Sequence, residues 1–219
     1  MKKTGTVKGI IFDLDGVICF TDIYHYRAWK QMADEEGIDF DEKINERLRG
    51  VSRAESLEII LEKASRMYTQ EEKTALMEHK NNLYREYLKQ MSPEDLSGEV
   101  HKTLLELRAK GLKLAIGSSS KNAKFILERI GLEGFFDAVS DGTNIQRSKP
   151  DPQVFLMAAE MLGLDPYECL VVEDAEAGID AACAGHFHNA GIGSAKEYGK
   201  TEYSLGSFQD LLALPVFGH

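Results

Sequence analysis

The sequence predicts an α/β fold: a doubly wound parallel sheet with an inserted helical cap domain. A short apolar run, residues 7–12, is followed by mostly helical sequence up to residue 91. From residue 92 onward, helices alternate with short apolar strands. We therefore expect residues 1–19 and 92–219 to form an α/β core, and residues 20–91 to form a helical cap over the carboxyl ends of the strands.

The inserted segment shows the apolar spacing of helices. Leu57, Ile60, Leu61 and Ala64, for example, recur at intervals of three and four residues. The run Ser52-Arg53-Ala54-Glu55 matches a capping box, so a helix should begin near Arg53. The predicted helices of this segment cover residues 23–36, 53–65 and 71–91.

The rest of the chain reads as alternating helices and strands. Ser92-Pro93 interrupts the last helix of the insertion, and Ser97-Gly98 makes a turn. Helices are predicted over 99–110, 121–131, 152–163 and 176–184, and strands over 112–117, 138–140, 169–172 and about 187–192. Such alternation predicts a parallel sheet, with strand 7–12 near its centre.

Composition excludes several classes of function. The net charge of −10, from 26 basic and 36 acidic residues, argues against nonspecific binding of nucleic acid or anionic membranes. The apolar stretches are too short to span a bilayer and no signal peptide is evident, so we expect a cytoplasmic protein. Cys19, Cys169 and Cys183 suggest neither a disulfide framework nor a zinc site. His186 and His188 could bind metal, but a surface strand or loop is the simpler interpretation.

Two aspartates follow the first strand. Asp13 and Asp15 are two residues apart, so their side chains lie on the same face of an extended segment. An ionised Asp can attack phosphorus to form an acyl phosphate, and a second acid can protonate the leaving oxygen. The alternative is a loop Asp followed by a turn-forming Asp-Gly pair, which this motif alone does not exclude.

Residues suited to an anionic substrate follow two later elements. Ser118-Ser119-Ser120-Lys121-Asn122 forms a small polar turn that opens a helix, where backbone N–H groups and hydroxyls can bind phosphate. Lys149 precedes the helix that begins near Pro152, and there it could neutralise charge on Asp13 and on a phosphoryl group. An N-cap followed by a solvated Lys, and an exposed Lys before proline, are the alternatives.

A second acidic pair, Glu173 and Asp174, ends the strand 169–172. Mg²⁺ prefers hard oxygen ligands, so Asp13, Asp174 and Glu173, with the backbone carbonyl of Asp15, form a plausible partial ligand set. Helix capping by Asp174 is an alternative that is compatible with metal binding.

The order of these strand-end motifs resembles the haloacid dehalogenase superfamily of phosphotransferases, whose core is a Rossmann-like sheet. The similarity covers nearly the whole chain, and an Asp at position 15 points to phosphoryl transfer. Residues 21–30, 50–57, 80–82 and 118–122 resemble the β-phosphoglucomutase branch. That branch interconverts β-glucose 1-phosphate and glucose 6-phosphate through an aspartyl phosphate and β-glucose 1,6-bisphosphate, with Mg²⁺ as cofactor.

The resemblance implies a role for each matching residue. Asp13 would be the nucleophile and Asp15 the general acid/base, with Thr21 and His25 in the hinge region that positions Asp15. The residues assigned to the distal phosphate are Arg53, Ser120, Lys121 and Asn122, those assigned to the transferring phosphate are Ser118, Ser119 and Lys149, and Lys80 is assigned to substrate binding. Without the resemblance, Arg53 would be an exposed helix-start residue, His25 a partly buried histidine and Lys80 a solvated lysine.

Three functions compete on this scaffold. A Mg²⁺-dependent sugar-phosphate phosphatase would use the same aspartates but let water attack the aspartyl phosphate. A noncatalytic binding protein is disfavoured because Asp13, Asp15, Lys149 and Asp174 are all present. We expect a monomer whose partner is a small sugar phosphate.

Overall fold

The computed structural model describes residues 6–48 and 51–217. The helices in chain order are α1 (Asp22–Glu35), α2 (Glu42–Glu46), α3 (Arg53–Leu61), α4 (Gln70–Leu88), α5 (Gly98–Ala109), α6 (Ala123–Arg129), α7 (Gln153–Leu162) and α8 (Glu176–Ala184). The strands are β1 (Gly9–Phe12), β2 (Lys113–Gly117), β3 (Ala138–Ser140), β4 (Cys169–Glu173), β5 (His188–Gly191) and β6 (Tyr203–Ser204). Short 3-10 turns cover Pro93–Asp95, Pro166–Glu168, Gly193–Glu197 and Phe208–Ala213.

All described strands belong to one parallel sheet with the order β3-β2-β1-β4-β5-β6. Phe12, the last residue of β1, lies beside Ile116 of β2 and Val172 of β4. The residues that follow these three strands therefore come together at one edge of the sheet. The predicted fold class and the central position of β1 are confirmed.

Helix α7 supplies much of the core that supports this sheet. Its residues Val154, Phe155 and Leu162 are buried against Val171 of β4 and against Phe187. The rings of Phe155 and Phe187 meet edge to face, with centroids 6.2 Å apart. This packing buries the central strands beneath helix α7.

The element boundaries follow the predictions closely. Strand β3 and helix α8 have the predicted ends, whereas the predicted strand 7–12 begins at Gly9 and the predicted helix 53–65 ends at Leu61. Helix α6 begins at Ala123 rather than at 121, because the polar turn before it continues to Asn122. Helix α2 and strand β6, which have five and two residues, were not predicted.

The chain divides into two compact units. The α/β unit comprises the described residues up to Phe20 and those from Ser92 onward, and the helical unit comprises Thr21–Met91. In the helical unit, α1 packs along α4. Its core contains Trp29, Met32, Leu57, Ile60 and Leu76.

Capping boxes mark the starts of two helices in the helical unit. Ser52 and Glu55 close the first turn of α3, and Thr69 and Glu72 close that of α4. The first of these confirms the predicted start at Arg53. None of the helices in the described ranges has both the length and the apolar character needed to cross a bilayer.

Candidate active site

Lys149 joins two acids at the carboxyl edge of the sheet. Its Nζ bonds to Oδ1 of Asp13, directly after β1, and to Oε1 of Glu173 at the end of β4. All three side chains are at most 11% exposed. Three residues that are far apart in sequence therefore form one buried ionic group, as expected for the pairing of Lys149 with Asp13.

Glu173 is held in a defined position from two sides. Its Oε2 accepts hydrogen bonds from the backbone N–H groups of Asp174 (3.0 Å) and Ala175 (3.1 Å). A Cβ atom at Gly178, in the first turn of α8, would overlap the Glu173 carboxylate. The glycine therefore provides the space that lets Glu173 reach both Lys149 and the backbone.

A cluster of carboxylates offers a site for a metal ion. Asp13, Glu173 and Asp174 each present an oxygen, and these atoms lie within 4.8 Å of one another. Burial, aided by the neighbouring Glu173, raises the pKa of Asp174 to about 7. Burial also raises the pKa of Asp13, although Lys149 opposes the shift. When ionised, three carboxylates beside one ammonium carry an excess of negative charge, which a hard divalent cation would offset, so this donor set fits such an ion.

The pKa of Lys149 reflects its two partners. Burial alone would lower it, but the charges of Asp13 and Glu173 outweigh burial and raise it above the ordinary value. Lys149 therefore stays protonated at neutral pH. A permanent positive charge beside Asp13 is suited to stabilise negative charge that develops on a transferring group.

Asp15 lies in the tight loop that follows β1. Asp15 forms an isolated bridge with Cys19, and the Gly16 N–H donates to the Cys19 carbonyl at 2.8 Å. Gly16 has φ +84°, and a Cβ there would overlap the Asp174 carboxylate, so glycine is required. The charge of Asp15 also contributes to the raised pKa of Asp174, which indicates that the two acids are close. Asp15 is not one of the three carboxylates of the described cluster, and its role as a metal ligand through the backbone carbonyl stays a prediction.

The polar turn after β2 is organised by its own serines. The Ser118 N–H donates to the Ser140 carbonyl (3.0 Å), and its Oγ accepts from the Ser120 N–H (3.2 Å). The Ser120 Oγ accepts from the Asn122 N–H at 3.2 Å. Ser118 and Asn122 are buried, whereas Ser119 and Lys121 are exposed. The turn thus has a defined shape, and phosphate binding by these five residues remains a prediction.

Within the helical unit, His25 and Lys80 are in direct contact. Lys80 is almost fully buried, and its Nζ lies 2.8 Å from Nδ1 of His25. An ammonium can only donate, so Nδ1 accepts and the ring proton lies on Nε2. The His25 ring stacks on Tyr84 with centroids 4.0 Å apart, and the Tyr84 hydroxyl donates to Oγ1 of Thr21 at 3.0 Å. Burial and the Lys80 charge lower the pKa of His25, so this histidine is neutral.

Arg53 begins α3 and projects toward α4. Its Nη2 donates to Oδ1 of Asn81 at 2.9 Å. Partial burial of the guanidinium lowers the pKa of Arg53. The structure therefore groups Thr21, His25 and Lys80 in one contact network between α1 and α4. Arg53, at the start of α3, contacts α4 at Asn81, the residue after Lys80.

Four residues at or beside these networks were not identified as candidate site residues from the sequence. Tyr84 lies one helical turn after Lys80, a spacing that could have identified it. Asn81 lies in the stretch 80–82, which resembles the β-phosphoglucomutase branch, but the sequence predicts no role for Asn81 itself. Asp141 follows β3 as Asp13 follows β1; its Oδ1 accepts from the Thr143 N–H at 2.8 Å, and its buried Oδ2 has no partner among the described residues. The close approach of Gly178 left no signal in a single sequence.

Known proteins resemble this chain over most of its length. The family model of the haloacid dehalogenase-like hydrolases matches residues 7–186. A β-phosphoglucomutase from Bacillus subtilis is 44% identical over 189 residues, covering 85% of this chain and 84% of the relative. A phosphorylated carbohydrates phosphatase from Thermotoga maritima is 30% identical, covering 80% of each protein.

Solved structures give the same result. A crystal structure of a β-phosphoglucomutase from Clostridium difficile superimposes with a TM-score of 0.83 at 37% sequence identity. The superposition covers 94% of this chain and 93% of the C. difficile chain. With a family model that spans most of the chain and relatives well above 30% identity, this protein belongs to the haloacid dehalogenase-like hydrolase family and is similar to its β-phosphoglucomutases.

Proposed function

We propose that this protein is a β-phosphoglucomutase, which interconverts β-D-glucose 1-phosphate and glucose 6-phosphate through an aspartyl-phosphate enzyme and β-glucose 1,6-bisphosphate. The observation that supports phosphoryl transfer most directly is the buried Asp13 paired with Lys149 beside two further acids. The similarity to β-phosphoglucomutases supports the choice of reaction.

In the proposed reaction, Asp13 is the nucleophile and Asp15 the general acid/base. Phosphorylated Asp13 is attacked by the 6-hydroxyl of β-glucose 1-phosphate while Asp15 takes the hydroxyl proton, and the Asp13 carboxylate leaves. The bisphosphate rebinds in the opposite orientation, with its C1 phosphate facing Asp13. Asp13 then attacks the phosphorus of that phosphate, and Asp15 returns the proton to the C1 oxygen. Glucose 6-phosphate leaves and the phosphoenzyme is restored.

Mg²⁺ is the proposed cofactor. When bound, it would neutralise phosphoryl oxygens and developing charge. The residues that would hold it are Asp13, Glu173 and Asp174, with the backbone carbonyl of Asp15. Lys149 pairs with the carboxylates of Asp13 and Glu173, neutralises their remaining negative charge and so keeps the nucleophile oriented.

The other residues are assigned to the transferring phosphoryl group, to the rest of the substrate with its distal phosphate, or to the hinge region. Ser118, Ser119 and Lys149 would hold the transferring phosphoryl group, and Thr21 and His25 would lie in the hinge region that positions Asp15. The group assigned to the rest of the substrate and its distal phosphate comprises Arg53, Lys80, Ser120, Lys121 and Asn122. In this proposal, residues 20–91 act as a cap, and the grip of Arg53 on the distal phosphate favours a closed state that excludes water.

A sugar-phosphate phosphatase of the same fold is the second candidate. The T. maritima relative is named for that activity, and water could attack the same aspartyl phosphate. The higher identity to β-phosphoglucomutases favours the mutase, and so does Arg53, because a monophosphate hydrolase has no second phosphate to hold.

A product assay tests the proposed function. Purified protein with Mg²⁺, β-glucose 1-phosphate and a trace of the bisphosphate should form glucose 6-phosphate faster than inorganic phosphate. Asp13→Asn, which keeps the size of the side chain, should form neither. Predominant release of inorganic phosphate would reject the mutase and favour the hydrolase. A cytoplasmic location, a monomeric state and the absence of nucleic-acid binding stay predictions from the sequence.

A further inference from the structure

The arginine proposed to grip the distal phosphate is held by an amide. Nη2 of Arg53 donates to Oδ1 of Asn81 at 2.9 Å. Arg53, at the start of α3, is exposed as a whole but has a partly buried guanidinium, whereas Asn81 is half-buried on α4. The two helices share one apolar core, to which Leu57 and Leu76 contribute. The contact therefore ties the guanidinium to a fixed point on a neighbouring helix.

Two other arginines of the helical unit have acidic partners. Arg47 bonds to both oxygens of Glu62 at 2.8 and 2.7 Å, and Arg66 bonds to Glu72 at 2.8 Å. A carboxylate orients a guanidinium but also cancels much of its charge. An amide oxygen is a neutral acceptor, so it orients the group and leaves the charge in place.

The electrostatic surroundings of Arg53 agree with an uncancelled charge. Burial lowers its pKa, and the group that opposes this shift is the Tyr84 phenol rather than a carboxylate. After burial, the charges of Lys80 and Arg53 are the causes that lower the pKa of His25. This part of the helical unit is therefore locally positive in a chain whose net charge is −10.

The geometry also leaves donors for an anion. A guanidinium has five N–H donors in a rigid fork that matches two oxygens of a phosphate. One donor engaged by Asn81 sets the orientation of the fork. Within residues 6–48 and 51–217, Asn81 is the one hydrogen-bond partner of this guanidinium, so several donors are left for bidentate binding of a phosphate group.

We propose that Asn81 is a positioning residue that determines selectivity for a ligand with a second phosphate, because it orients Arg53 through a neutral acceptor and leaves the positive charge to the dianion. The inference rests on the proposed function, in which Arg53 binds the distal phosphate. It adds a requirement that the acceptor at position 81 is uncharged.

Two substitutions at Asn81 separate charge from orientation. Asn81→Asp keeps the size and adds a carboxylate that competes with phosphate for Arg53, so KM for β-glucose 1-phosphate should rise about 10- to 100-fold. Asn81→Ala removes the orienting bond but adds no charge, so the rise should stay below about 10-fold. The effect on kcat should be smaller than that on KM in both variants.

Asn82→Asp is the matched control. It adds the same charge one residue further along α4, at an exposed position. Its KM should stay within about 2-fold of the unmodified protein, because exposed charges are strongly screened. The thermal midpoints of all three variants, followed by circular dichroism, should show that each one folds.

Acetyl phosphate distinguishes this inference from the proposed function. It transfers its phosphoryl group to Asp13 with acetate as the leaving group, and has no second phosphate. Its rate of phosphoenzyme formation should therefore be equal in the unmodified protein and in Asn81→Asp. The inference is overturned if Asn81→Asp raises KM no more than Asn81→Ala or Asn82→Asp, or if it slows acetyl phosphate equally. If the unmodified protein accepts no phosphoryl group from acetyl phosphate and lacks mutase activity, the proposed function fails, and the inference with it.

Discussion

Replacing Gly178 by Ala should displace Glu173 and disturb the ionic group that it forms with Lys149 and Asp13. The added methyl group would overlap the Glu173 carboxylate, far inside the contact distance of about 3.5 Å that two heavy atoms tolerate. The carboxylate must therefore move. Its hydrogen bonds to the Asp174 and Ala175 N–H groups, at 3.0 and 3.1 Å, cannot both survive that movement.

The expected cost follows from these bonds. Losing one hydrogen bond to a charged acceptor costs about 1.5–3 kcal/mol. The exchange of Gly for Ala inside a helix contributes up to about 1 kcal/mol in the opposite direction. The free energy of unfolding should therefore fall by about 0.5–3 kcal/mol. Turnover should fall by about 10²-fold or more, because Lys149 loses the partner that fixes it beside Asp13.

Urea unfolding and the product assay measure the two effects. Gly98→Ala is the matched control, since it makes the same exchange in the first turn of α5 with no atom within 4 Å of the new Cβ. It should leave activity unchanged, and the free energy of unfolding should stay the same or rise by up to about 1 kcal/mol, the intrinsic gain from Gly to Ala in a helix. If Gly178→Ala unfolds and turns over like the unmodified protein, the position of Glu173 does not depend on the space at Gly178, and the reasoning is refuted.

Three other perturbations have defined outcomes. Burial raises the pKa of Asp174 from 3.8 to about 7, so the folded protein retains a proton that the unfolded chain releases. Through Asp174 alone, metal-free protein should therefore lose at most about 4 kcal/mol of stability as pH rises from about 4 to about 7, and Mg²⁺ should restore it. Thermal unfolding of the unmodified protein and of Asp174→Asn, with EDTA or Mg²⁺, checks this, and identical pH profiles of the two metal-free proteins would contradict it. Lys149→Met leaves two buried carboxylates unpaired and should cost about 3–5 kcal/mol in urea unfolding, with no turnover; wild-type stability would show that the ion pair is not needed. Tyr84→Phe removes the hydrogen bond to Thr21 and should lower the free energy of unfolding by about 1 kcal/mol, and an unchanged value would exclude a net contribution from that bond.

The sheet could be predicted because its strands are short apolar runs that end in polar residues. Strand β1 and the acids after it are separated by a sharp change from buried to polar sequence, and the same change marks the end of β4. Helix α2 and strand β6 escaped prediction because five and two residues are too few to show a period.

The meeting of Asp13, Lys149 and Glu173 in the α/β unit could be predicted, but their hydrogen bonds could not. Strand ends in a parallel sheet meet at one edge, which brings Asp13, Lys149 and Glu173 together. That Lys149 bonds to both acids, and that Glu173 also accepts two backbone N–H groups, depends on side-chain directions that sequence does not encode locally. Likewise, Arg53 and Asn81 meet only because α3 packs beside α4.

The register of β1 has a consequence for synthesis on the ribosome. Gly9 emerges from the exit tunnel before its neighbours in the sheet, Lys113 and Cys169, which are translated much later. The helical unit, by contrast, is one continuous stretch, so all of its core is available before the second half of the sheet exists. The nascent chain must therefore keep an apolar strand unpaired while the insertion folds, and the ionic group of Asp13, Lys149 and Glu173 is assembled only after Glu173 has left the exit tunnel.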